Sequence, residues 1–513
     1  MNGAESLVRT LLASNIEVCF ANPGTSEMHL VAALDRVGAM RPVLCLFEGV
    51  ATGAADGYAR MAGKPACTLL HLGPGLGNGI ANLHNARKAH SPVVNIVGDH
   101  ATYHLGLDAP LASDIAVLAR YVSGFVRTAT DKTLSEDAAT TVKAAMKSPG
   151  QIATLIVPAD VAWSDGHAPA PRVVRPVRPK IESGAIARCA EALRSGNPTA
   201  LLMSGDALTD DGLRLATRIA AKTGCRLMCD TFNSRVVRGG GRPKVERLPY
   251  FAEQAIDALA GLATLITVGT KSPIAFFAYP GKRSSLVPDG TVHLSLAAPQ
   301  EDILDALIGL ADELCATEMP PCEPTRWSQP PSGSLNAASV GQALAALMPE
   351  GAIISDEGGT LGGPSWSQTA NCPTHDWLFL TGGSIGQGLP VATGAAIACP
   401  DRKVICIHGD GGAMYTLQAL WTQAREKLDV VTIIFSNRKY AVLQIEFSRV
   451  GAGDPGPCAH DMLDLSNPDL NWVDLAHGMG VEASRAETAD EFVDQLRSAI
   501  AGRGPRVIEA IIA

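Results

Sequence analysis

The sequence predicts an α/β fold of three doubly wound parallel-sheet domains. Three observations carry that expectation. Short, wholly apolar runs alternate with helical patterns, as they do when parallel strands are covered on both faces. Several runs end in glycine-rich turns, where a backbone can close on a ligand. Two proline-rich stretches, at 168–178 and 319–331, divide the 513 residues into thirds.

In the first third, 7–14 reads as a helix and 18–21 as a buried strand ending in Asn22-Pro23-Gly24. Further strands are expected at 43–47, 67–71, 93–97 and 152–157. The middle third repeats the pattern, with strands at 200–203, 226–229 and 264–268. The last third has strands at 352–355, 404–408, 430–435 and 506–511, and a helix at 413–427. The expected domains are therefore 1–165, 183–312 and 335–513.

Composition excludes several function classes. Hydrophobic residues make up 46% and charged residues 18%, which rules out intrinsic disorder. A net charge of −9 argues against a nucleic-acid or anionic-membrane partner. The N-terminal residues lack the pattern of a signal peptide. The longest apolar stretch, 258–270, is well short of the roughly 18 residues a membrane span needs. The 12 cysteines are scattered without a CxxC pair, as expected of a reduced, cytoplasmic protein without structural zinc. Low charge also points to subunits that bury faces against each other. Glycine is in excess and concentrated, with eight in 49–79 and thirteen in 351–420, which suggests backbone making room for a ligand.

The strongest chemical signal lies in the last third. The strand 404–408 runs into Gly409-Asp410-Gly411-Gly412, and 24 residues after that Gly-Asp-Gly the next strand ends in Ser436-Asn437. Asp410 and Asn437 thus sit at equivalent ends of adjacent strands. A carboxylate and an amide oxygen there form a hard-oxygen half-shell suited to Mg²⁺, which a diphosphate would complete. The bland alternative is an ordinary turn aspartate and a strand-end asparagine.

This spacing resembles the cofactor motif of thiamine-diphosphate enzymes. Nearly the whole chain is similar to the acetolactate synthase, benzoylformate decarboxylase and pyruvate oxidase group. The first third, with NPGTSEMH and LFEGVATGAADGYAR, resembles short acetolactate-synthase-like proteins. The resemblance implies a pyrimidine-binding domain at 1–165, a central domain, and a diphosphate- and Mg²⁺-binding domain at 335–513. It implies that Asp410 and Asn437 hold Mg²⁺ by side chains and Lys439 by its carbonyl. Gly411, Gly412, Gly359 and Thr360 would meet the diphosphate. Ile385, in Gly382-Gly383-Ser384-Ile385-Gly386, would wedge the cofactor into its bent shape, and the Gly383 carbonyl would accept from its 4′-amino group. Ser436 departs from the usual Asn pair, but the ligand is the second Asn.

The same resemblance makes Glu48 the acid on N1′ of the aminopyrimidine. Its shared proton would drive the amino–imino shift that deprotonates C2 of the thiazolium, and the resulting ylid would attack a 2-oxo acid, with the ring as electron sink when CO₂ leaves. A glutamate starting a helix is otherwise only a favourable dipole partner. Thr25 matches a substrate-contacting Ser of benzoylformate decarboxylase, and His71 matches a catalytic His capable of acid–base work. The second catalytic His of that decarboxylase is missing, with Phe276 nearest its place. Val442 and Glu446 fall where pocket-lining residues are expected, and Glu446 either meets a substrate polar group or is solvated. FAD, which full acetolactate synthases bind centrally, is not favoured for want of a clear flavin loop.

The expected function is a decarboxylase/carboligase of the acetolactate synthase type. An aldehyde-forming decarboxylase like that for benzoylformate, and a non-catalytic regulatory relative, are the alternatives. In such enzymes Glu48 and Asp410 meet across a subunit interface, so a homodimer at least, and a homotetramer in full, is expected.

Overall fold

The computed structural model describes residues 1–512. The first segment forms a sheet of β1 (Val18–Asn22), β2 (Arg41–Leu44), β3 (Ala66–Leu70), β4 (Val93–Asp99), β5 (Phe125–Thr128) and β6 (Ile152–Pro158). Their order is β2-β1-β3-β4-β6-β5, and every neighbouring pair is parallel. The middle segment supplies β7 (Thr199–Met203), β8 (Arg226–Cys229), β9 (Val236–Arg238), β10 (Glu246–Arg247), β11 (Thr264–Val268) and β12 (Val292–Ala297). All but β9 form a second parallel sheet, in the order β10-β8-β7-β11-β12.

The last segment supplies β13 (Ala352–Glu357), β14 (His375–Phe379), β15 (Val404–Gly409), β16 (Val430–Ser436), β17 (Glu482–Ala486) and β18 (Arg506–Ile511). The third sheet runs β17-β18-β16-β15-β13-β14-β9 and is parallel except at β9, which joins β14 antiparallel. A strand from the middle segment thus completes the third sheet. Helices cover both faces, so the doubly wound α/β expectation holds for all three sheets.

Three local expectations are corrected. The strand expected at 43–47 lies at Arg41–Leu44, because the chain turns at 45–47 into the helix Glu48–Ala62. The strand expected at 352–355 continues through Glu357. The helix expected at 413–427 is two pieces, a turn at Asp410–Ala413 and a helix at Gln418–Arg425.

The first and third sheets are joined through two helices. Helix Gly388–Ala398 has no polar face, and residues 388–397 are all buried. It crosses helix Glu48–Ala62, which is buried over nearly its whole length. A Cβ on Gly57 would overlap the Val391 carbonyl, and one on Gly394 would overlap the Ala54 carbonyl. Part of the glycine excess therefore serves helix packing and not a ligand. Arg60 reinforces the joint. It makes a two-point pair with Asp56, at 2.8 and 2.5 Å. It also donates to the Phe379 carbonyl at 2.8 Å and the Thr381 hydroxyl at 3.0 Å. The loop after β14 is thereby fixed to the helix that carries Glu48. Among the described residues no helix is long and apolar enough to cross a membrane.

Candidate active site

The first sheet reverses its winding between β1 and β3, since β2 lies on one side of β1 and β3 on the other. Crevices open at the carboxyl ends of strands at such points. Thr25 follows β1, Glu48 follows β2 and His71 follows β3, so the structure brings all three to one edge. Thr25 is exposed in the short turn Thr25–Glu27. Glu48 is 6% exposed, and its Oε2 accepts from Asn78 Nδ2 at 3.0 Å. Glu48 and His71 flank Gly75, where a Cβ would stand 3.1 Å from Glu48 Oε1 and 3.3 Å from His71 Cβ.

The third sheet reverses between β13 and β15. Asp410 follows β15 and Asn437 follows β16, two strands in parallel register. Asp410 is buried. Its Oδ1 accepts from the Gly411 amide at 2.8 Å and its Oδ2 from the Arg438 amide at 2.7 Å. The second bond draws the turn carrying Asn437 and Lys439 against the carboxylate. Burial pushes the Asp410 carboxyl up, opposed by the Arg438 and Gly411 amides. Among the described residues no three His, Cys, Asp or Glu side chains converge as a metal set. The donors here are one carboxylate, one amide oxygen and a backbone carbonyl. Such hard oxygens fit Mg²⁺ completed by phosphate, and a buried carboxylate is the group a cation would hold ionised.

Gly383 and Ile385 lie on the loop between β14 and helix Gly388–Ala398. Gly383 has φ +75°, which favours glycine. Ile385 is half-buried and belongs to none of the apolar clusters among the described residues, so it is not a core side chain. Glu357, at the end of β13, holds this loop. Its carboxylate accepts from the amides of Gly386 (2.6 Å), Gln387 (2.7 Å) and Gly388 (2.7 Å). His408 Nε2 stands 3.3 Å from its Oε2. Burial pushes the Glu357 carboxyl up, but His408 and the amides together bring it below its ordinary value. From the other side, Asn82 donates to the carbonyls of Gly49 (2.8 Å) and Gly386 (3.2 Å), and Asn85 to that of Ser384 (2.7 Å). Gly359 and Thr360 are exposed in the turn just past β13.

Val442 and Glu446 lie on helix Ala441–Arg449. Glu446 is not solvated: the Tyr279 hydroxyl of the middle segment donates to its Oε2 at 2.8 Å. Phe276 meets the Gly383 loop directly, since a Cβ on Gly383 would overlap its ring. Its ring packs with those of Phe277, Phe232 and Tyr250, with centroids at 4.7, 5.3 and 5.5 Å.

Models of two domains match this chain: "Thiamine pyrophosphate enzyme, N-terminal TPP binding domain" over residues 1–119, and its C-terminal counterpart over 365–510. The chain is 53% identical to the "Putative acetolactate synthase large subunit IlvX" of Mycobacterium tuberculosis, covering 100% of this chain and 99% of that one. It belongs to the thiamine pyrophosphate enzyme family. The benzoylformate decarboxylase of Pseudomonas aeruginosa is 29% identical over 96% of this chain and 95% of its own. The structure of the thiamine diphosphate-dependent 4-hydroxybenzoylformate decarboxylase of Rhodococcus jostii RHA1 superposes with a TM-score of 0.87, at 25% identity, covering 100% and 99%.

Within this thiamine pyrophosphate enzyme, sequence reasoning missed Glu357, Asn82, Asn85 and Glu27. Glu357 was hidden by the strand end, where Asp356-Glu357-Gly358 reads as a turn. Glu27 carried a legible signal, because a carboxylate three residues after Gly24 has the spacing of a capping box.

Proposed function

We propose that this protein is a thiamine-diphosphate- and Mg²⁺-dependent decarboxylase of a 2-oxo acid, able to pass the product on to a second carbonyl as acetolactate synthases do. The observation that supports the reading is the Arg438 amide on Asp410 Oδ2, at 2.7 Å, because Arg438 belongs to the turn that also carries Asn437 and Lys439. Those three would hold Mg²⁺, and the backbone at Gly411, Gly412, Gly359 and Thr360 would meet the diphosphate. When bound, the cofactor supplies a carbon nucleophile and an electron sink for the departing CO₂. Among the described residues Glu48 Oε1 makes no hydrogen bond, which leaves it free to share a proton with N1′ of the pyrimidine. The Gly383 carbonyl would accept from the 4′-amino group, and Ile385 would prop the ring. His71 and Thr25 face the substrate, with His71 moving a proton at Nε2. Glu48 and Asp410 serve one site in a homodimer, assembled further to a homotetramer, in the cytoplasm. The units at 1–165, 183–312 and 335–513 act as pyrimidine-binding, central and diphosphate-binding domains.

One observation favours an aldehyde-forming reaction on a bulkier acid. Phe276 and its aromatic neighbours border the Gly383 loop, and Tyr279 occupies Glu446, the carboxylate that would repel an aromatic side chain. Benzoylformate and pyruvate, offered separately with product identification, separate the two fates. Glu48→Gln should lower kcat by about a hundredfold or more while calorimetry still shows cofactor and Mg²⁺ binding. Unchanged turnover overturns the reading. A wild-type protein that binds neither thiamine diphosphate nor Mg²⁺ would point to a regulatory relative.

A further inference from the structure

Glu27 was given no role by its motif, yet it is the most completely buried carboxylate beside the candidate site, with 0% exposure. Its Oε2 accepts from the Gly24 amide at 2.8 Å and lies 2.7 Å from His71 Nδ1. Its Oε1 is buried without a partner. Two glycines clear the space for this pair. A Cβ on Gly98 would overlap Glu27 Oε1, and one on Gly24 would overlap the His71 ring. His71 keeps 22% of its side chain exposed, and among the described residues its Nε2 has no partner. The pair stands where the first sheet reverses, with Asn22 of β1 in register with Leu70 of β3, just ahead of Glu27 and His71.

A carboxylate that accepts at Nδ1 settles which ring nitrogen carries the proton, and leaves Nε2 as the acid–base atom. We infer that Glu27 is a positioning residue for His71, holding its imidazole with Nδ1–H toward the sheet and Nε2 toward the substrate beside Glu48. This rests on the role proposed above for His71. The other titratable groups around the pair are Glu48, across Gly75, and Asp99 and His100, which follow Gly98 on β4. None of these bonds to Glu27. Burial pushes the Glu27 carboxyl up, against the Gly24 amide and His71, so this is a carboxylate whose charge depends on the imidazole it faces.

The test uses the holoenzyme and compares Glu27→Gln, His71→Ala and the double variant. Glu27→Gln should lower kcat about tenfold with KM nearly unchanged, and move the acid limb of the kcat–pH profile to lower pH. In the His71→Ala background, Glu27→Gln should cost nothing further. Additive losses, or an unmoved pH profile, overturn the inference. A second readout needs no activity. The rate at which diethyl pyrocarbonate modifies His71 Nε2, followed by peptide mass spectrometry, should rise about threefold at pH 6 in Glu27→Gln. An unchanged rate overturns the inference even where no 2-oxo acid is turned over. A changed rate without any turnover leaves the pairing standing and sinks the proposed function instead. Should Glu27→Gln not fold, the imidazole ¹⁵N shifts of His71 in the wild type decide, because a neutral ring carrying its proton on Nε2 in place of Nδ1 is the overturning result.

Discussion

The first and third sheets each reverse their winding at a crevice closed by a buried glutamate facing a histidine, and the two pairs are built oppositely. Glu357 accepts three backbone amides from the start of helix Gly388–Ala398 and has His408 at 3.3 Å. Glu27 accepts one amide, that of Gly24, and keeps one oxygen without a partner. Burial raises both carboxyls, but the donors around Glu357 outweigh it and those around Glu27 do not. The difference is one of donor number. A buried carboxylate stays ionised when enough N–H groups and a helix terminus replace its water. Glu357 is therefore an anchor for the loop carrying Gly383 and Ile385, while Glu27 remains responsive to its histidine.

The comparison can be broken at three points. Glu357→Gln has the largest expected effect. It discards a charge that three amides point at, and should cost about 3 kcal/mol in urea unfolding at pH 7. Because the folded carboxyl titrates below its ordinary 4.5, its stabilisation is complete above that value and fades as pH falls through the lower one. The gap between wild type and variant should accordingly close in acid. No loss at pH 7 would mean the amides do not need the charge.

A third histidine sharpens the contrast, because it has no carboxylate. His375 on β14 is buried, with Nδ1 2.8 Å from the Pro373 carbonyl oxygen and Nε2 unpartnered. Burial, helped by Arg238, brings its imidazole down to about 3. Unfolded chains then bind a proton that the folded one refuses, so stability should fall as pH drops from its ordinary 6.5 toward 3. Between pH 6.5 and 5 the loss is about 2 kcal/mol. Urea midpoints measured across that range should flatten in His375→Gln, and a slope equal to the wild type's would refute the assignment.

The smallest effect is expected for the stability of Glu27→Gln. A carboxyl with a raised folded value is most stabilising below its ordinary 4.5, and loses that contribution as pH rises through the raised one. At pH 8 an uncharged amide of the same shape should change stability by no more than about 1 kcal/mol in either direction. Destabilisation comparable to Glu357→Gln would erase the distinction between the two sites.

The sequence by itself determined the three parallel sheets, because strands buried on both faces are mostly apolar, and β1, β3, β7, β15, β16 and the first half of β13 show such runs. Edge strands such as β5, β12 and β17 are half-exposed and carry no such run. β14 is fully buried but holds His375 and Asp376, which masked it. Local spacing likewise placed Thr25, Glu48, His71, Asp410 and Asn437 at strand ends. Only the tertiary structure decided what those ends face. Glu357 meets His408 because β13 and β15 lie in register, Tyr279 reaches Glu446 from another segment, and Glu27 finds His71 because β3 returns beside β1. The helix-crossing glycines likewise look like ligand backbone until their partner is seen. Burial pattern is a property of a residue and its near neighbours. A hydrogen-bond partner dozens to hundreds of residues away is fixed only by the register and winding of the assembled sheets.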